Sequence, residues 1–152
     1  MVPDNSKISE SSDYGMRPRK SFSRIIETAL RNNGESTVVR HVHVRIWSYE
    51  SFKRAEEGLA ENAARIQIVL NAGTPTGQKI GELSYYSAGR NDSVYTIFLR
   101  RNVVVSVADT GPMEVPKKAT GAIRRLEDPE LESRCEGLAK TLDDYIVTLT
   151  RK

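Results

Sequence analysis

Hydrophobic positions are most concentrated in the middle of the chain, from Val94 to Val107. β-Branched and aromatic residues are concentrated here, which favours strands, and Arg101-Asn102 at the midpoint favours a hairpin turn. If Arg100 pairs with Val103, both faces of this hairpin are largely apolar. We therefore expect a central hairpin whose two faces are covered by helices or by a partner.

The region before the hairpin begins with a segment of helical spacing. Apolar residues recur at 22, 25, 26, 29 and 30, which predicts an amphipathic helix over residues 21–33. Ser21 is a suitable N-cap and Gly34 a suitable end for this helix. Residues 37–47 then alternate strictly over their second half, which predicts a half-buried strand.

A second helix is predicted over residues 51–64, with Ser51 as its N-cap. Gly58 lies inside it and should weaken it by about 1 kcal/mol. Residues 66–70 alternate like a strand and are predicted as one. Further strands are predicted at 79–86 and 93–99, joined by a turn.

The chain beyond the central hairpin divides into a loop and a helix. Residues 110–127 contain two glycines and two prolines, which predicts a long irregular connection. Asp128 and Pro129 have the residue types that begin a helix. The apolar stripe of this last helix recurs at alternating intervals of three and four residues: Leu131, Cys135, Leu138, Leu142, Tyr145 and Leu149.

The apolar stripe of the last helix predicts which of its residues are important for the stability of the fold. Leu138 and Leu142 are expected to point into the sheet, where truncation would leave a cavity. Lys140 and Asp143 lie off the stripe, so substitutions there are expected to be tolerated.

Together these segments predict an α+β domain, with an antiparallel meander of about five strands packed against two to three helices. The predicted order is α-β-α-β-β-β-β-α. Residues 1–20 carry almost no apolar side chains, so we expect a disordered basic tail ahead of a single domain at 21–152.

Charge and cysteine content narrow the classes of function. The net charge is +3, and the basic excess lies in residues 1–47, with 8 Lys and Arg against 5 Asp and Glu. That distribution argues against a strongly basic folded surface. Cys135 is the single cysteine, so an intramolecular disulfide and a multi-cysteine zinc site are both excluded.

The most distinctive polar pattern lies on the strand at 37–47. His41, His43, Arg45 and Trp47 share one face of it by alternation. Two histidines at this spacing can ligate one metal ion, although the neighbouring arginines would repel a cation. The face is therefore a candidate ligand or partner surface, and the alternative is a small metal-dependent enzyme that uses His41 and His43.

A second candidate surface comes from basic residues in the predicted loops. Arg100 and Arg101 lie at the hairpin turn and are candidate partner-binding residues. Basic loops beside sheet aromatics occur in RNA-binding sheets, so a nucleic-acid-binding sheet is a further alternative. Acidic residues balance these charges locally, which makes nucleic acid the less favoured partner.

No nucleophile–base set, acid pair or glycine-rich cofactor motif stands out in the sequence. We therefore predict a non-enzymatic binding or protein-interaction module without a cofactor. Its partner would be a protein or a second copy, bound through an apolar sheet or helix face. The sequence has no long apolar run, so we expect a cytoplasmic protein without membrane contact, while a processed exported protein would look the same.

Overall fold

A computed structural model describes residues 17–65, 71–72, 76–88, 93–118 and 120–149. It has two helices and seven strands within these ranges. They are, in chain order, β1 (Lys20–Asn32), β2 (Ser36–Ser48), α1 (Phe52–Arg65), β3 (Asn71–Ala72), β4 (Leu83–Ala88), β5 (Val94–Arg100), β6 (Val103–Pro116), β7 (Arg124–Arg125) and α2 (Leu131–Leu149). The α+β class is confirmed.

The strands form one antiparallel sheet in the order β1-β2-β6-β5-β4-β3, and β7 pairs with the far end of β6. Neighbours in the sheet are mostly neighbours in sequence, as in a meander. The exception is β2, which pairs with β6 and so brings the first hairpin against the central one.

The predicted helix over 21–33 is wrong, because these residues form β1. Asn33-Gly34 precedes an alternating strand and is a strong hairpin signal, since Gly34 takes a φ of +90° that the turn requires. The Asn33 amide closes this turn by donating to the Ser36 carbonyl at 3.2 Å. Pairing with β2 satisfies the backbone groups on the inner side of β1, and this outweighs a helical spacing that β-branched Ile25 and Ile26 only weakly support.

The central hairpin is as the sequence predicts. Arg100 pairs with Val103, and Arg101 occupies the turn with a φ of 55°. One face packs with α2 through Phe98, Val105 and their neighbours. The other packs with α1 through residues such as Ile97. The sheet is therefore covered on both faces by helices at β5 and β6, where the core lies.

The predicted irregular connection at 110–127 is wrong in its first part, because β6 continues to Pro116. The register against β2 shifts here, so that Thr110 and Gly111 together lie opposite His41 as a β-bulge. A bulge accommodates the following Pro112, which lacks the N–H that a regular ladder needs.

Each of the two helices buries one side against the sheet. Ala55, Leu59 and Ala63 of α1 are buried, as are Cys135 and Ala139 of α2. Leu138, Leu142 and Ile146 flank the buried line of α2 and are partly buried against the core. The exposed Tyr145 and Leu149 do not follow the stripe inward. Of the described helices, none is both long and apolar enough to span a membrane.

Several predicted segments shift or lie outside the described residues. The strand predicted at 79–86 begins later, at Leu83, and extends to Ala88. The strand predicted at 66–70 and residues 1–16 of the predicted tail lie outside the described residues.

Candidate functional site

The two histidines of β2 lie on the face of the sheet that carries α1. Val42 and Val44 point into the core beneath α2, so alternation places His41, His43 and Arg45 on the opposite face. We call these three side chains the histidine row.

Each imidazole of the histidine row has its own partner on β1. His41 Nε2 lies 2.7 Å from Glu27 Oε2, and His43 Nε2 lies 2.8 Å from Ser23 Oγ. Arg45 Nε donates to His43 Nε2 at 3.2 Å. The two rings are thus engaged separately and do not converge on a common point.

His43 is held in its neutral form. Burial lowers its pKa, and the positive charge of Arg45 lowers it further. Because the Arg45 guanidinium can only donate, Nε2 is the acceptor, and this hydrogen-bond pattern assigns the ring proton to Nδ1.

Acidification should therefore destabilise the fold through His43. Its folded pKa is lowered, so its contribution to stability is present above the unfolded pKa of about 6.5 and is lost as pH falls through the folded pKa. Lowering the pH from about 7.5 to about 5 should therefore lower the midpoint temperature of unfolding of the wild type. The midpoint of His43→Gln should fall less, because glutamine cannot take up the proton. Equal losses in both proteins, measured by circular dichroism, would show that His43 is not the source of the pH dependence.

The histidine row is poorly suited to bind a metal ion or to activate a nucleophile. Within the described ranges, no group of three or more His, Cys, Asp or Glu side chains is placed to hold a metal ion. Ser23 and His43 have the spacing of a hydroxyl and its base, but no described carboxylate hydrogen-bonds His43 to orient it. Cys135 is also unsuited to catalysis, since burial raises the pKa of its thiol to about 12.

The other predicted site residues lie elsewhere. Trp47 is on the same face as the histidine row, but packs half-buried against the core beneath α1. Arg100 is on the opposite face, where it binds Asp143 of α2 and Glu82. Arg101 lies at the hairpin turn, and its amide donates to Glu82 Oε2 at 3.0 Å. The structure therefore brings together His41, His43 and Arg45, and separates them from the two hairpin arginines.

Buried carboxylates are the polar residues that the sequence analysis missed. Substitution of Asp143 is predicted to be tolerated, yet this residue is fully buried and binds both Arg100 and the Gly81 amide. Asp109 is equally buried and pairs with Arg40. Asp143 follows Cys135 and Ala139 at intervals of four, and this line of small residues indicates the side of α2 that approaches the sheet most closely.

Asp109 and Glu136 fix irregular backbone in place. Asp109 accepts from the Gly111 amide at 2.9 Å, which holds the bulge of β6. Glu136 accepts from the Thr76 amide at 3.1 Å and thereby ties the segment before β4 to α2. We assign these carboxylates to the architecture, because their acceptor positions are taken up by groups of the same chain.

The edge of the sheet formed by β1 is a second surface of interest. β1 pairs with β2, and no other described strand lies along its outer side. Ile25, Ile26 and Leu30 are exposed by 52%, 38% and 52%. Because Ile25 and Ile26 are adjacent in a strand, they point to opposite faces, so neither face of this edge is covered.

Comparison with family models, with curated proteins and with solved structures finds no match to this chain.

Proposed function

We propose that this chain is a non-enzymatic protein-interaction module and that it binds its partner through β1 and the adjoining histidine row. The single observation that carries the proposal is the exposure of large apolar side chains on both faces of a thirteen-residue edge strand. Long, apolar edge strands are sites of strand pairing with other chains unless they are blocked.

The position of the helices supports this proposal. Both α1 and α2 pack chiefly on β5 and β6, so β1 lies beyond them at the edge of the sheet. Single exposed apolar residues are ordinary on protein surfaces, but here three fall on one edge strand. A partner that covers this strand would bury them and pair its free backbone groups.

The histidine row is better suited to binding than to catalysis. Arg45 is exposed, and its hydrogen bond goes to a neutral imidazole and not to a described carboxylate. An exposed guanidinium that is not bound to a carboxylate of its own chain can bind a carboxylate of a partner through two parallel hydrogen bonds. His41 and Glu27 beside it already neutralise each other when the histidine is protonated.

Partner capture by the full chain tests the proposal. We expect Ile25→Gln combined with Ile26→Gln to weaken capture by about tenfold or more, because two central apolar contacts are lost. The matched control is Ile123→Gln combined with Leu149→Gln, at positions outside β1 that are exposed by 62% and 56%. All variants change exposed residues, so circular dichroism should show an unchanged fold.

The expected result is one partner retained by the wild type and the control and lost by the β1 variant. Equal capture by both double variants would show that β1 is not the binding surface. A reproducible catalytic turnover that His43→Gln abolishes would overturn the non-enzymatic assignment.

A further inference from the structure

We infer that the partner of this surface is an extended acidic segment of another protein, which adds to the sheet antiparallel to β1. This inference rests on the proposed function and adds the chemistry and direction of the ligand. The chemistry of the ligand follows from the charges of the exposed edge. Its direction follows from the sheet, in which every described strand pair is antiparallel.

The uncompensated charges along this edge are positive. Lys20 and Arg24 are exposed on β1 and, within the described residues, neither has a carboxylate partner. Arg45 on β2 is also exposed, with its hydrogen bond made to His43. The acidic residue within β1 is Glu27, and it is bound by His41. A partner strand that fits this edge must therefore bring negative charge.

The same charges argue against a second copy as the occupant. Pairing two copies of β1 would bring Lys20, Arg24 and Arg31 of both copies to one interface, against a single acidic residue, Glu27, in each copy of the strand. Like charges across adjacent strands are destabilising. The free edge also argues against nucleic acid, because a phosphodiester backbone cannot continue a β-ladder as a polypeptide does.

The register of β1 sets the order of residues in the ligand. Ile26 and Arg24 share the face of α2, since they lie opposite Val42 and Val44. Ile25 and Ser23 share the other face, and Ser23 is the small residue opposite Arg45.

An antiparallel ligand strand meets these positions in reverse order. Two apolar residues would lie opposite Ile26 and Ile25, followed by two acidic residues opposite Arg24 and Ser23. The first carboxylate pairs with Arg24, and the second reaches Arg45 across the small serine. Read from its N-terminus, the ligand is therefore apolar-apolar-acidic-acidic.

A fluorescent peptide with the core Val-Val-Glu-Glu, flanked by threonines, tests this inference by anisotropy with the full chain. We expect saturable binding that is weakened about fivefold to tenfold by Arg24→Glu and by Arg45→Glu. Lys53→Glu on α1 is the matched control, because Lys53 is an exposed cation away from the edge. A peptide with Lys-Glu in place of Glu-Glu, which reverses only the residue opposite position 24, should regain affinity for Arg24→Glu.

Two peptide controls separate strand addition from simple charge attraction. The reversed core Glu-Glu-Val-Val has the same composition and should bind about fivefold or more weakly. Proline introduced at successive positions should weaken binding at alternate residues, because only every second amide of an added strand faces β1.

Equal binding of the forward and reversed peptides would overturn the inference, as would proline sensitivity without alternation. Displacement of the peptide by a single-stranded oligonucleotide, with no effect of proline, would favour nucleic acid instead. A dimer that forms without peptide binding would favour a second copy. If the peptide does not bind while partner capture still depends on Ile25 and Ile26, the proposed function stands and only the inference of an acidic ligand is wrong.

Discussion

Replacing Asp143 by alanine is expected to lower the free energy of unfolding by about 3–5 kcal/mol. The Asp143 side chain is 1% exposed, and it accepts from Arg100 Nε at 2.6 Å and from the Gly81 amide at 2.9 Å. Removing it leaves a largely buried guanidinium without its main partner and an amide without an acceptor. This is the loss that makes breaking a buried ion pair costly.

Asp144 is the matched control, because it is the next residue on the same helix. It is 63% exposed and pairs with Lys140 on the surface, four residues earlier. Surface pairs of this kind contribute little, so Asp144→Ala should change stability by about 0.5 kcal/mol or less. Urea unfolding of both variants measures the difference, and equal effects would mean that α2 is not docked through Asp143.

Acid should remove the contribution of Asp143 in the wild type. Burial by itself raises the pKa of this carboxyl, but the hydrogen bonds from Arg100 and Gly81 outweigh it and lower the pKa below its ordinary value. A carboxyl whose folded pKa is lowered stabilises the fold above its unfolded pKa of about 3.9 and stops doing so as pH falls through the folded pKa. The free energy of unfolding of Asp143→Asn should therefore change less than that of the wild type as the pH falls below about 4.

Gly58→Ala is expected to destabilise the protein by about 1–3 kcal/mol, although alanine is the better helix former. An added Cβ would lie 2.7 Å from Tyr49 Cε1 and closer still to the ring carbon that bears the hydroxyl. The Tyr49 ring cannot easily move, because the residue is buried in the core and its backbone is held by two hydrogen bonds with Asn102, at 2.8 and 2.7 Å. The helix is thus held against a fixed aromatic ring.

Gly137 of α2 provides the opposite case. It is exposed, and an added Cβ would meet nothing within 4 Å. Gly137→Ala should therefore stabilise the protein by about 0.5–1 kcal/mol through helix propensity alone. Thermal unfolding of the two variants should shift in opposite directions. A stabilised Gly58→Ala would show that the Tyr49 ring has room to move, and a smaller penalty in a Tyr49→Leu background would identify the ring as the cause.

The candidate site was only partly predictable because alternation gives the face of a residue but not its partners. The sequence placed His41, His43 and Arg45 on one face, and the structure agrees. It could not place Arg100 and Arg101 relative to them, since that depends on which strands become neighbours. The buried role of Asp143 was missed for a related reason: a charged residue is assigned to the surface unless its partner is known.

The sequence by itself determined the central hairpin, α1 and the start of α2. Each depends on local preferences, such as β-branched residues in the hairpin and the Asp128 side chain that accepts from the Glu130 amide at 3.1 Å. Such preferences act between residues close in the chain and are therefore visible in it.

Only the tertiary structure decided the state of residues 20–32 and the extension of β6. β1 fits a helical stripe when taken alone, but twelve of its thirteen residues pair with β2. Gly111 and Pro112 suggest a loop when taken alone, but the bulge opposite His41 keeps them in the sheet. In both cases the deciding hydrogen bonds join strands whose pairing a local pattern does not specify, and that pairing also leaves β1 exposed at the edge.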